Sequence, residues 1–186
     1  MKVISVKAKL KNKIDFLKTL ADIDLEFGDT YHQHDRIFLP RGYKPDRSLP
    51  KVVIRTNIYS TDKTPSYYLI FKRHLPKFDI DVVHRTEVRD YTETAHILHQ
   101  LGFALGHEIV KQRQTLTMEG GVNICIDKID DLGTFVKIES ELDETDTPKA
   151  VREDLVRTLD ALGIKSSAII DNTYANLSER QPKPKK

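Results

Sequence analysis

The chain of 186 residues has one cysteine, Cys125, and so no partner with which to build an internal disulfide framework. Cys125 sits between Ile124 and Ile126, which predicts an inert core position rather than a reactive thiol. No apolar run follows Met1, and no segment is long and apolar enough to span a bilayer. A cytoplasmic protein with no membrane partner is the resulting expectation. The formal net charge is only +2, too small to argue for nucleic acid. There is no Gly-rich phosphate loop, no Ser-His-Asp set and no cysteine pair. The histidines lack metal-ligand spacing. His96 and His99 stand three apart on an expected helix, a weak signal alone. At 39% hydrophobic and 31% charged, the chain is neither membrane-like nor acid-rich and disordered. It reads as one domain able to bury a sizeable core.

What the sequence does have is alternation. In MKVISVKAKL, Ile4, Val6, Ala8 and Leu10 share one face, and Val3, Ser5, Lys7 and Lys9 share the other. A period of two marks a half-buried strand. The pattern recurs, and each time the second face carries charge. Arg55 and Asn57 lie opposite Ile54 and Ile58. Arg85, Glu87 and Arg89 share a face, as do Lys111 and Arg113. Phe135, Lys137, Glu139 and Glu141 oppose Val136 and Ile138. If these faces look toward one another, the sheet encloses a charged, mostly basic cavity. Such a cavity suits a polyanion such as a triphosphate, with carboxylates at hand for a metal.

Breakers and caps place the remaining elements. Asn12 is a candidate N-cap for a helix over 13–27, stopped by Gly28. Strands are expected over 31–39, 51–59, 67–73 and 84–90, with a breaker-rich loop at 40–50. A helix over 92–101 ends at Gly102. Strands over 107–118, 122–126 and 135–142 follow, with Glu119-Gly120-Gly121 as a tight hairpin. Thr147-Pro148 predicts a helix start with Thr as N-cap, and a last short helix covers 167–177. The sum is an α+β fold: an antiparallel, eight-stranded, closed or nearly closed β-barrel with helices on the outside. Residues 1–178 form the single domain, and the basic, Pro-interrupted tail 179–186 is expected to be disordered.

In order along the chain, these residues resemble the CYTH superfamily, which includes class IV adenylate cyclases, thiamine triphosphatases and inorganic triphosphatases. Family members open with Glu-x-Glu-x-Lys. Here the window is Val3-Ile4-Ser5-Val6-Lys7, which keeps the Lys and loses both acids. The acidic and aromatic second strand is similar to Gln33-His34-Asp35-Arg36-Ile37-Phe38. The family's next cations match Arg55 and Lys72, its Arg-x-Glu pair Arg85 and Glu87, and its Lys-x-Arg pair Lys111 and Arg113. Asp127 precedes Leu132-Gly133 as in the family. Its Glu-Ile-Glu triplet reads Lys137-Ile138-Glu139, and Asn172-Thr173-Tyr174 looks like its terminal Lys-Ser-Tyr element.

The resemblance implies a triphosphate tunnel. Lys7, Arg55, Lys72, Arg85, Lys111 and Arg113 would bind the phosphates through charge-assisted hydrogen bonds, with Lys7, Arg113 and Glu139 as catalytic candidates. It also implies Mg²⁺ or Mn²⁺ held by carboxylates. Since Val3, Ser5 and Lys137 replace three family acids, Glu139, Asp127 and Glu87 remain as ligands, with Glu141 less certain, and the metal site is weakened and even dispensable. Glu87 has a competing role as salt-bridge partner of Arg85 or Arg55. Lys137 either stands in for the ion or pairs with Glu139 or Glu141. His34, beside Asp35, is open to a substrate-facing or a surface role. The activity implied is cyclisation of ATP or hydrolysis of a triphosphate. A non-catalytic phosphate- or nucleotide-binding module is the competing reading, and the basic tail supports RNA binding only weakly. The expected partner is a triphosphate-bearing small molecule, with oligomeric state, a homodimer included, left open.

Overall fold

The computed structural model describes residues 1–42 and 49–179. Strand β1 (Lys2–Lys9) leads to helix α1 (Lys13–Ala21), then β2 (Tyr31–Pro40), β3 (Lys51–Tyr59), β4 (Ser66–Leu75) and β5 (Ile80–Val88). Helix α2 (Tyr91–Gln100) precedes β6 (Phe103–Thr117), β7 (Asn123–Ile129) and β8 (Gly133–Glu141), and α3 (Pro148–Ala161) and α4 (Tyr174–Glu179) complete the order. All strand pairings are antiparallel and the sheet closes, in the order β1-β5-β4-β3-β2-β6-β7-β8. This is the α+β, eight-stranded barrel expected from the alternation. Among the described residues no helix is long and apolar enough to cross a membrane.

Directly opposed residues of an antiparallel pair share a face, so the registers sort the two sides of the wall. Ile4, Val6 and Ala8 face outward with Ile138, Val136, Ile124 and Ile126, and form the main core with Phe16 and Leu20 of α1 and Leu155 and Leu159 of α3. Leu98 of α2 packs with Phe38, Val52 and Ile54 in a second cluster. The hydrophobic core thus lies between barrel and helices. The other face is left to the lumen.

Local chemistry explains where the elements stop. Asn12 caps α1 as expected, its side chain accepting from the N–H groups of Ile14 and Asp15. The helix ends at Ala21, well before Gly28. Asp24 is left-handed at φ 57°, and the Leu25 N–H returns to the Leu20 carbonyl. Two aspartates flanking a β-branched residue, Asp22 and Asp24 around Ile23, are poor helix formers and outweigh the apolar stripe. Thr147 occupies the N-cap of α3 ahead of Pro148, but its side chain makes no capping hydrogen bond. Gly120 and Gly121, at φ 78° and 79°, turn the β6–β7 hairpin, a conformation that suits glycine.

Two further expectations are corrected. β5 begins at Ile80, because Asp79 turns the chain at φ 52°. The helix expected over 167–177 does not form as one piece. Ile169 bridges Ala8 and the Ile170 N–H donates to the Lys7 carbonyl, so this β-branched pair extends along β1, after a single 3₁₀ turn at Ser166–Ala168 and before an α-helix confined to Tyr174–Glu179. Most of the 40–50 loop and the tail from residue 180 lie outside the described residues.

The main core sets a stability expectation. Leu159 is fully buried, so Leu159→Ala should lower unfolding free energy by about 2–5 kcal/mol in urea melts. Ile97→Ala on exposed α2 should stay within about 0.5 kcal/mol. Similar effects from both would mean α3 does not cover the barrel.

Candidate functional site: a charged barrel lumen

Strand β2 measures the lumen. Its inward residues run Tyr31, Gln33, Asp35, Ile37, about 20 Å along the strand at ~3.4 Å per residue. Ile37 belongs to an apolar cluster with Ile109, Ile129, Phe135 and Tyr174, which closes one end. Tyr31 marks the other end, beside Tyr59 of β3. Charge occupies the middle. Gln33 lies opposite Lys111 and Asn57, Asp35 opposite Arg55, Arg113 opposite Asp127, and Lys7 opposite Lys137.

The charges are organised around three carboxylates. Asp127, with no exposed surface, accepts from Arg113 through Nε at 2.6 Å and Nη2 at 2.7 Å. Lys111 approaches it at 3.3 Å, and the Tyr174 hydroxyl donates at 2.9 Å. Asp35 takes a fork from Arg55 at 2.6 and 2.9 Å and a third bond from Gln33 Nε2 at 3.0 Å. Glu139 is bonded by Lys137 on its own strand. Lys7 donates to the Asn172 carbonyl at 2.9 Å and lies 4.3 Å from the Tyr174 ring centroid. The segment from Asn172 into the short helix α4 is thereby tied to the lumen by a hydroxyl, a carbonyl and a ring face.

Burial raises the cost of each carboxylate, but the cations win. Lys111 and Arg113 hold Asp127 far below the usual carboxylate range. Arg55 does the same for Asp35, and Lys137 brings Glu139 to about 2. The Tyr174 hydroxyl is pushed well above its ordinary value by burial and by Asp127. The lysines bear the opposite strain. Burial, then Arg55 and Lys137, lowers Lys72 from 10.5 to about 7. Burial, then Arg113, lowers Lys111 to about 8 despite Asp127. No carboxylate lies within ion-pairing distance of Lys72 among the described residues. Among the described residues, Lys7, Arg55, Lys72, Lys111, Arg113 and Lys137 thus share the middle of the lumen face with Asp35, Asp127 and Glu139. The surplus is positive.

Five of the six phosphate candidates, Lys7, Arg55, Lys72, Lys111 and Arg113, therefore come together. Arg85 stands apart. It is exposed, and its guanidinium stacks 3.7 Å from the Tyr68 centroid. Glu87 is exposed opposite Tyr68, and among the described residues it pairs with neither Arg85 nor Arg55. The partner of Arg55 is Asp35, a residue absent from the sequence-derived site set, as were Gln33 and Asn57. His34 faces outward and meets Glu108 at 3.0 Å. Lys137 pairs with Glu139, the second of its two expected roles.

The three acids expected to hold Mg²⁺ or Mn²⁺ do not meet. Asp127 is enclosed by its own cations, Glu139 is engaged by Lys137, and Glu87 is outside the central layer. Among the described residues no three of His, Cys, Asp and Glu are grouped closely enough to hold an ion. This donor set does not fit a metal caged by protein carboxylates alone.

An antiparallel barrel with a cationic lumen, one end closed by a C-terminal helix, is a tunnel-type fold. The CYTH domain model matches residues 1–174, and the chain belongs to that family. A Methanocaldococcus jannaschii protein named as a candidate adenylate cyclase is 25% identical over 177 residues, 94% of this chain and 97% of that protein. A protein of Pyrococcus horikoshii OT3 superposes with a TM-score of 0.81 at 20% identity, covering 96% of this chain and 99% of that one. A Hippeastrum protein described as a candidate adenylyl cyclase with dominant triphosphatase activity superposes with a TM-score of 0.59 at 16% identity, over 99% of this chain and 98% of that one. These two structural likenesses bear on the fold.

The depressed Lys72 has a signed consequence. Between its folded value near 7 and its unfolded value of 10.5, the unfolded chain binds more protons, so stability rises with pH across that window. Melting temperatures of the ligand-free protein should climb from pH 7 to 9.5, and Lys72→Met should flatten the climb. An unchanged slope in the variant would place Lys72 in water.

Proposed function

We propose that the lumen binds the triphosphate group of a nucleotide or of an organic or inorganic triphosphate, and acts on it as a class IV adenylate cyclase-like or triphosphatase-like enzyme. The observation that carries this reading is the surplus of buried and half-buried cations in the lumen among the described residues, with Lys72 and Lys111 partly discharged. Cations are normally paired when buried. A polyanion would supply the missing charge and restore the protons of these lysines. The CYTH membership, the cyclase-like relative and the triphosphatase-like neighbour point to the same chemistry.

In this reading the pairs with Asp35 and Asp127 hold Arg55 and Arg113 in place. Each guanidinium has five donors and spends two atoms on its carboxylate, leaving others for phosphate oxygens. Lys7, Lys72 and Lys111 contribute point charges. In cyclisation the ribose 3′-hydroxyl attacks the α-phosphorus and pyrophosphate leaves. In hydrolysis water attacks the terminal phosphorus. Either step gains from fixed cations where charge builds on the phosphates. Glu139, with its proton lost above pH about 2, is a weak base but is the lumen carboxylate that would meet an ion entering on the phosphates. Mg²⁺ or Mn²⁺ would in that case arrive with the substrate, and the site's dependence on it would be weak.

A second reading, a non-catalytic phosphate- or nucleotide-binding module, is favoured by the Lys137–Glu139 pair. It places a cation beside the carboxylate that an ion would need.

Calorimetry with inorganic tripolyphosphate separates these readings when combined with product assays on ATP, thiamine triphosphate and tripolyphosphate. Binding should persist in EDTA. Lys72→Met should weaken it about 10- to 100-fold, corresponding to the ~1.5–3 kcal/mol of a charged hydrogen bond. Turnover in EDTA would support the enzyme; binding without product would support the module. Binding only with Mg²⁺ or Mn²⁺ would overturn the weak-metal reading.

A further inference from the structure

The open end of the lumen carries aromatic and amide groups that the phosphate chemistry does not use. Tyr31 and Tyr59 pack with ring centroids 4.7 Å apart, and Tyr31 is anchored by a 3.2 Å hydrogen bond with the Thr115 hydroxyl. Tyr59 is 39% exposed. Its hydroxyl is raised above the ordinary value by burial, Tyr31 and Tyr68, with Arg85 opposing, so all four groups share one neighbourhood. The Arg85 guanidinium carbon lies over the Tyr68 ring, 3.7 Å from its centroid. An open hollow of about 520 Å³ lies along β4 and β5, lined by Pro65, Ser66, Tyr67, Glu87, Val88 and Arg89, and its Ser66 stands opposite Asn57.

One step further in, two buried acceptors lack partners among the described residues: Gln33 Oε1 and Asn57 Oδ1. Gln33 is 1% exposed and Asn57 6%. The Gln33 amide cannot simply turn over, because its Nε2 donates to the Asp35 carboxylate. An acceptor oxygen is not satisfied by phosphate, whose oxygens are acceptors too. It calls for a donor such as a hydroxyl.

Two adjacent strands show the same order from the outside in. On β2 it is Tyr31, Gln33, Asp35; on β3 it is Tyr59, Asn57, Arg55. Aromatic ring, amide acceptor and ion pair follow one another. A nucleoside triphosphate has the matching sequence of planar base, hydroxyl-bearing sugar and polyanion.

We infer that this end is a head-group site selecting nucleoside triphosphates over bare polyphosphate, with the base against Tyr59 and the sugar hydroxyls donating to Gln33 and Asn57. The inference rests on the triphosphate reading of the lumen. Arg85, stacked on Tyr68, is then a specificity residue flanking the base. The charged layer supplies affinity for any triphosphate, and the mouth supplies the discrimination.

The test is calorimetry with ATP, 2′,3′-dideoxy-ATP and inorganic tripolyphosphate on the unmodified protein and on Tyr59→Ala. The ratio of ATP to tripolyphosphate affinity should fall about tenfold in Tyr59→Ala, as expected for loss of a stacked base, with tripolyphosphate itself unchanged within about twofold. In the unmodified protein dideoxy-ATP should bind about tenfold more weakly than ATP, for the loss of two hydroxyl donors. That second comparison needs no variant and stands even if Tyr59→Ala folds poorly. Tripolyphosphate binding with equal ATP and dideoxy-ATP affinities, or an unchanged ratio in a folded Tyr59→Ala, would overturn the head-group site while leaving the lumen reading intact. Failure of tripolyphosphate and ATP alike to bind would overturn both.

Discussion

A carboxylate with no access to water holds this lumen together. Asp127 is met by an Arg fork, a lysine and a tyrosine hydroxyl, drawn from β6 and α4. An isolated buried ion costs several kcal/mol even after relaxation, so each of these partners is obligatory once the acid is inside. The requirement acts in both directions. Arg113 is aimed by Asp127, Lys111 keeps part of its charge because of it, and a helix too short to be stable alone is seated through Tyr174. The aim of the lumen cations and the closed end of the barrel are thus consequences of one ion-paired centre.

Such a centre is a poor device for stability, since well-packed apolar residues would serve a barrel interior at least as well. Its value lies in positioning. Asp35 and Asp127 fix two guanidinium groups that would otherwise repel each other and fold back toward solvent. Their compensation stops short of neutrality, and Lys72 registers the deficit most clearly, held near 7 by burial and by its cationic neighbours. The apolar layer around the outside of the barrel makes this arrangement tolerable, because Ile4, Val136, Ile138 and Leu159 bind the helices to the wall independently of the charges within.

Much of this was legible in the sequence because a strand's period of two is unforgiving. Lys7, Arg55, Lys111, Arg113 and Glu139 had to share the face opposite their apolar neighbours, and closure of the sheet turned that face inward. Depth along the lumen was not legible. Arg85 and Glu87 alternate as cleanly as Lys111 and Arg113, yet the stagger of β4 and β5 leaves them exposed. The partner of Arg55 was equally hidden. Asp35 and Glu87 are both inward acids on strands near β3, and only the register shows that Asp35 stands directly opposite. Gln33 and Asn57 carry no charge and gave no signal beyond their parity. The C-terminal helix was overextended because Ile169 and Ile170 satisfy a helical stripe and a strand ladder alike. The contact with β1 decides for the ladder.

The central claim is that an anion completes the charge of the lumen, and proton uptake on binding tests it most directly. Calorimetry of tripolyphosphate binding at pH 8.5, repeated in buffers of different ionisation enthalpy, counts the protons exchanged. With Lys72 near 7 and Lys111 near 8 in the free protein, both are largely deprotonated at that pH, and a bound polyanion raises both values. The account predicts net uptake at pH 8.5, shrinking toward zero at pH 6, where both lysines already carry their protons. Binding at pH 8.5 with no proton taken up would place the anion on fully charged surface lysines and arginines, and would contradict the lumen as its site.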